Sequence, residues 1–197
     1  MRQALKYVSM ALLLTAIFGV ECAAKKKPKL PPDPKFMAIQ NILVLPLVDS
    51  RVGEKASVNK NKLQASAVNA LKRKRYPVTA ASTSGEMGQA VEEDFQDAKP
   101  EWVKKLGPAD ARWVIVVCLR DVISKMTFGS AGNAEVSGYL FDKESGELVW
   151  KGKGVGQAGQ GGLLGMTMKG AMKGEALDAA LYDLFSSIPT RPKSTKE

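Results

Sequence analysis

The chain has 197 residues, a hydrophobic fraction of 45% and a formal net charge of +9, a composition typical of one folded domain. It contains no histidine, which excludes Ser-His-Asp and Cys-His catalytic sites and imidazole-bound zinc. We therefore expect no metal, no cofactor and no catalytic residue, and a function that depends on binding.

Residues 1–21 have the three parts of a secretory signal peptide. Arg2 and Lys6 make the start basic, Val8–Val20 is a mainly apolar run of 13 residues, and small residues come after it. Thirteen residues are too few to span a bilayer as a helix. The sequence therefore predicts export from the cytoplasm.

Cys22 resembles the cysteine of a bacterial lipobox, which becomes the first mature residue and carries acyl chains such as palmitate. Glu21 stands where lipoboxes usually have Gly, Ala or Ser. Cleavage after Ala24, which would give a soluble periplasmic protein, is therefore the alternative. We favour lipidation of Cys22. Because Ala23 follows it instead of aspartate, the resemblance to lipoproteins implies anchoring at the periplasmic face of the outer membrane.

Residues 22–35 are expected to form a tether that carries the acylated cysteine and is rich in lysine and proline. In a polyproline-like form it rises about 3.1 Å per residue, so a dozen residues would hold the domain roughly 35–40 Å from the anchor. Its lysines are typical of a membrane-proximal basic segment. In an exported protein, the basic excess favours anionic envelope components as partners, and we expect no nucleic acid.

Residues 36–190 are expected to form a single α/β (α+β) domain in the order βαβαβββα, followed by a polar tail at 191–197. Hydrophobic periodicity predicts a strand at 39–48, a helix at 59–75, a short strand at 76–80 and helical stretches at 87–96 and 100–106. A central strand at 113–123, hairpin strands at 134–142 and 147–155, and a last helix ending before Pro189 complete the prediction. This order indicates one mixed sheet of about five strands with helices packed on it.

Two phrases, Ile42–Arg51 and Gly138–Trp150, and the terminal helix resemble envelope lipoproteins built on the fold of the amino-terminal domain of TolB. That group includes CsgG, LpoB and PelC. The resemblance implies a non-enzymatic assembly, secretion or regulatory accessory protein that binds other envelope proteins or forms a homo-oligomer beneath the outer membrane. None of the family's sites transfers residue by residue.

The basic run Lys72, Arg73, Lys74 and Arg75 is a candidate partner-binding patch at the end of a predicted helix. The alternative is structural, since cations at a helix C-terminus complement its dipole and cap its carbonyls.

The segment from Gly152 to Gly165 holds seven glycines and is expected to be a flexible loop, with close backbone packing as a further reason for the glycines. Within it, Gly154, Gly156 and Gly159 match G-x-G-x-x-G. Because no helix opens there and no second parallel strand follows, we do not expect a nucleotide site.

An apolar cluster follows these glycines and is a second candidate for partner binding. Its alternative role is core packing at the start of the last helix. Its members are Leu163, Leu164, Met166, Met168 and, at the start of the last helix, Met172.

Two other functions stay open. One is an oligomeric subunit of an envelope export channel. The other is a small soluble periplasmic hydrolase that uses the carboxylates Glu92, Glu93 or Asp94, although such a run is usually a solvated helix face. Cys118 lies in an apolar run and is expected to be a small buried hydrophobe.

Overall fold

The structure is a computed structural model that describes residues 34–52, 57–82, 87, 90–127, 129–161 and 169–192. Residues 124–127, 129–130, 160–161 and 169–170 are described by their backbone alone. The chain divides into Met1–Pro31 and Pro32–Glu197, and all described residues belong to the second unit.

The described residues form five helices around one sheet. The helix over Lys60–Arg73 begins after Asn59, whose side chain accepts a hydrogen bond from the Lys62 N–H at 3.0 Å and so caps the helix. The helices are α1 (Pro34–Met37), α2 (Lys60–Arg73), α3 (Glu92–Gln96), α4 (Pro100–Val103) and α5 (Lys169–Ser186).

The described residues contain six strands: β1 (Ile42–Val44), β2 (Val48–Asp49), β3 (Val78–Ala80), β4 (Trp113–Thr127), β5 (Gly129–Asp142) and β6 (Glu147–Gly161). They form a single mixed sheet in the order β3-β1-β4-β5-β6, and β2 pairs with β4 further along that strand than β1 does. The pairs β1–β3, β1–β4 and β2–β4 are parallel, and β4–β5–β6 is an antiparallel meander. The predicted mixed sheet with helices packed on it, and the central place of the strand from Trp113, are confirmed.

Helices cover both faces of the sheet. On one face α2 and α5 pack on alternate residues of the strands, with Leu71, Ala180 and Leu184 fully buried. On the other face α3 and α4 bury Phe95 and Val103 against Val116 and the neighbouring strands. Burial on both faces explains why β4 is a continuous apolar run rather than an alternating one.

Several predicted elements differ from the structure. The helix expected at 87–96 covers only Glu92–Gln96, the strands expected at 113–123 and 134–142 are longer (β4 and β5), and α1 was not predicted. The strand expected at 39–48 is interrupted, because Pro46 has no N–H to donate to the ladder, and pairing with β4 resumes only at Val48. The glycine-rich segment was expected to be a loop from Gly152, but β6 continues through it to Gly161 and pairs with β5.

The glycines of β6 are there because α5 lies directly on them. A Cβ at Gly154 would collide with the Ala180 carbonyl oxygen and the Leu184 nitrogen, and one at Gly156 would collide with the Ala176 carbonyl oxygen. Close backbone packing, the second reason given for these glycines, is confirmed at both positions. They serve helix packing on a strand, a role that the G-x-G-x-x-G spacing does not reveal.

We predict that Gly154→Ala lowers the free energy of unfolding by about 3 kcal/mol, because α5 must move away from the sheet to admit the methyl group. Urea denaturation followed by circular dichroism measures the change. Gly174→Ala is the matched control, since its nearest neighbour would be Lys62 Nζ at 4.0 Å. The control should be neutral or up to about 1 kcal/mol more stable. Equal stability of the two variants would contradict this account of the glycines.

Candidate interaction surfaces and a buried charge network

The predicted basic patch lies where α2 ends. Lys72 and Arg73 occupy its last turn, Lys74 is the C-cap residue, and Arg75 follows in the left-handed region at φ 66°. The side chains of Lys72, Arg73 and Arg75 are exposed, whereas Lys74 is half-buried. The four residues therefore divide into three that face solvent and one that is built into the fold.

Lys74 joins α2 to the end of α5. Its Nζ donates a hydrogen bond to the carbonyl oxygen of Ser186 at 3.0 Å, and burial lowers its pKa. The cation thus caps the last residue of a different helix from its own, where the helix dipole favours positive charge. The sequence offered helix capping as the alternative role of these cations. Lys74 does cap a helix, but that helix is α5 and not its own helix α2.

Two further hydrogen bonds tie the segment after α5 to the end of α2. Tyr76 Oη donates to the carbonyl oxygen of Pro189 at 2.9 Å, and the Arg191 N–H donates to the carbonyl oxygen of Lys74 at 2.9 Å. Burial raises the pKa of Tyr76, so its hydroxyl stays protonated as a donor. The two helix ends are therefore held at a fixed distance from each other.

A groove lies between these helix ends, with a cavity of about 230 Å³. We call it the basic groove. Tyr182 on its wall is 64% exposed, one of the most exposed large hydrophobic side chains among the described residues. The groove is lined by Ala70, Arg73, Lys74, Tyr182, Phe185, Ser186 and Thr190.

The second predicted patch, Leu163, Leu164, Met166 and Met168, lies outside the described residues. Met172, the fourth residue of α5, is 3% exposed and buried in the core.

Glu92 belongs to a buried charge network that the sequence did not predict. Tyr139 Oη donates a hydrogen bond to Glu92 Oε1 at 2.8 Å, and Arg120 Nε lies 3.0 Å from Glu92 Oε2. Arg120 Nη1 also donates to Glu135 Oε1 at 2.6 Å. Arg120 therefore bridges a carboxylate on α3 and one on β5, and it does so from a bulge in β4 between Leu119 and Asp121.

The carboxylates of the proposed hydrolase do not converge. Glu92 points into the sheet and is engaged by Tyr139 and Arg120, while Glu93 and Asp94 are exposed. Asp94 Oδ2 accepts the Val91 N–H at 2.9 Å and so caps α3. The expectation of a fully solvated acidic face was wrong for Glu92, because the strand below α3 supplies an arginine and a tyrosine for it. A charged residue inside the apolar run of β4, Arg120, was the signal available in the sequence.

Cys118 is a free, buried thiol, as the sequence predicted. Burial, with the charge of Glu92 adding to it, raises its pKa to about 12. The thiol is therefore protonated at neutral pH, which is unlike the thiolate that a nucleophilic cysteine requires. Burial and the hydrogen bond to Glu92 likewise raise the pKa of Tyr139.

The described ranges contain no group of three or more acidic or thiol side chains placed to hold a metal ion. In the same part of the chain, no helix has the length and apolar character needed to cross a bilayer.

No protein-family model matches the chain, and no curated protein is similar to it in sequence. Solved structures with a similar fold include the PelC dodecamer from Paraburkholderia phytofirmans, at 15% identity and a TM-score of 0.45, covering 75% of this chain and 86% of PelC. Lipoprotein GNA1162 from Neisseria meningitidis is 21% identical at a TM-score of 0.44, covering 66% and 94%. The LpoB C-terminal domain from Salmonella enterica is 16% identical at a TM-score of 0.38, covering 60% and 83%.

These likenesses concern the fold. PelC and LpoB, two proteins of the group named from the sequence, are thus among the solved structures with a similar fold.

We predict that Glu92→Ala lowers the free energy of unfolding by about 3 kcal/mol, because Tyr139 and Arg120 lose the buried carboxylate that they share. Glu93→Ala is the matched control, because Glu93 is the next residue in the chain and its carboxylate is exposed. This variant should change the free energy of unfolding by less than about 0.5 kcal/mol. Urea titrations of both variants measure the difference. If Glu92→Ala were as stable as the control, the network would contribute nothing to the fold.

Proposed function

We propose that this chain is an exported, non-enzymatic lipoprotein, anchored through Cys22 at the periplasmic face of the outer membrane, that acts by binding another envelope protein. The export signal and the position of Cys22 support the anchoring. The pairing of Glu92 with Arg120 favours a packing role over catalysis for the most buried carboxylate of the candidate hydrolase.

The basic groove is the observation that carries the binding function. It combines an exposed aromatic ring, an apolar floor from Phe185 and Ala70, and a guanidinium at its rim. An aromatic ring and an arginine next to an apolar depression are the residue types that dominate binding energy in protein interfaces. Lys74 and Tyr76 hold the groove rigid, so a partner would lose little by ordering it.

The chemistry of the groove indicates its partner. Arg73 lines the groove, and Lys72 and Arg75 are exposed cations next to it at the end of α2. Tyr182 offers an apolar contact. An acidic segment that carries one large apolar side chain would satisfy both. Such complementarity mainly governs which partner is chosen and how fast it binds.

The anchor is tested by the intact mass of the protein purified from membranes of its native host. We expect a chain that starts at Cys22 and carries acyl chains. A chain that starts at unmodified Lys25 would contradict the anchor and leave a soluble periplasmic protein.

The groove is tested by photocrosslinking in the native host, with a photoreactive phenylalanine derivative in place of Tyr182. We expect a covalent adduct with an envelope protein that is lost when Lys72, Arg73 and Arg75 are all replaced by alanine. The control replaces Lys99, Lys151 and Lys153 by alanine. These lysines are exposed but lie away from the end of α2, so the control variant loses the same three positive charges. The control should keep the adduct. An adduct that survives the triple groove variant would contradict this surface.

A further inference from the structure

Strand β6 forms one edge of the sheet. It pairs with β5 along its length, and no described strand lies on its other side. In an edge strand every second residue directs its N–H and C=O groups away from the sheet, and such a row is complementary to another extended backbone. The edge of β6 therefore has the geometry needed to accept an additional strand.

A side chain of α5 already binds one of the N–H groups in this outward-facing row. The Val155 N–H donates a hydrogen bond to Asp183 Oδ2 at 3.0 Å, although the register places Val155 opposite Glu135 of β5. The Val155 N–H thus points away from β5, and Asp183 occupies the position that an incoming carbonyl would need. Asp183 reaches the edge because Gly154 and Gly156 let α5 lie directly on β6.

The edge of β6 changes from charged to uncharged residues at Val155, the residue whose N–H Asp183 binds. Lys151 and Lys153 precede Val155, and lysines on an edge strand discourage pairing. The run from Gln157 to Gly161 contains only Gln, Ala and Gly. By the alternation that begins at Val155, the N–H groups of Gln157 and Gly159 also point outward. The uncharged half of the edge therefore has no lysine to protect it.

We propose that the edge of β6 from Val155 to Gly161 is a strand-addition surface, that its occupant is the same edge of a second copy of this chain, and that Asp183 holds it closed. Antiparallel pairing about a two-fold axis at Ala158 places Val155 opposite Gly161 and Gln157 opposite Gly159. The lysines at 151 and 153 then lie outside the paired run, so no like charges face each other. The same patch serves on both copies, as a two-fold interface requires. This surface is separate from the basic groove and does not depend on the function proposed for it.

The test is the dimer Kd of residues 22–197 carrying Cys22→Ser, measured by analytical ultracentrifugation with and without Asp183→Ala. Removing the carboxylate frees one edge N–H on each copy, and we expect the Kd to fall by about tenfold or more. Asp178→Ala is the matched control. It removes the same charge from the same helix, but Asp178 lies on the side of α5 that faces Lys62 and Leu63. An unchanged Kd in Asp183→Ala, or an equal fall in the control, would overturn the proposal.

A second variant locates the interface. Gln157→Pro, added to Asp183→Ala, removes an outward N–H that β5 does not use, and proline is tolerated at such edge positions. We expect it to restore the wild-type Kd while the circular dichroism spectrum stays that of the folded chain. Gln157→Lys, which adds an edge charge instead, should act in the same direction if the proline variant does not fold. Association that persists in a folded double variant would place the contact elsewhere and overturn the proposal.

Discussion

Helix α5 lies on strand β6 without a layer of side chains between them, because Gly154 and Gly156 have no Cβ to hold the helix away. This contact sets the depth at which α5 sits on the sheet. Its apolar residues Ala180 and Leu184 then reach full burial with β5 and β6. The helix carries its own C-terminus to the end of α2, where Lys74 caps it. A bulkier residue in β6 would displace all of these contacts together.

The position of α5 also creates both candidate surfaces, one on each side of the helix. Tyr182 faces α2 and forms the wall of the basic groove. The next residue, Asp183, points to a different side of the helix and reaches the edge of β6. Successive helical residues point about 100° apart, so one helix can serve a groove on one side and a sheet edge on the other. The groove offers side chains to a partner, whereas the edge offers backbone groups.

The opposite face of the sheet is organised by charge as well as by apolar packing. Helix α3 has five residues and buries one large side chain, Phe95, so apolar contacts hold it only in part. Glu92 adds the contacts with Arg120 and Tyr139. A buried carboxylate with two specific partners fixes where the short helix sits, because any other position would separate this carboxylate from both of them. These groups therefore serve the placement of α3.

The sequence by itself determined the two long helices, most of the strands and the order of these elements, because the spacing of apolar residues along the chain identifies a buried strand or an amphipathic helix. The burial of Cys118 followed in the same way from the run that surrounds it. Only the tertiary structure decided the rest. The glycines of β6 looked like a loop because a missing side chain has no meaning until the helix that packs there is known. Glu92 and Glu93 are neighbours of the same type, and only the strand beneath α3 distinguishes the buried one. Lys74 and Ser186 are 112 residues apart, and local spacing carries no information about contacts that folding alone creates.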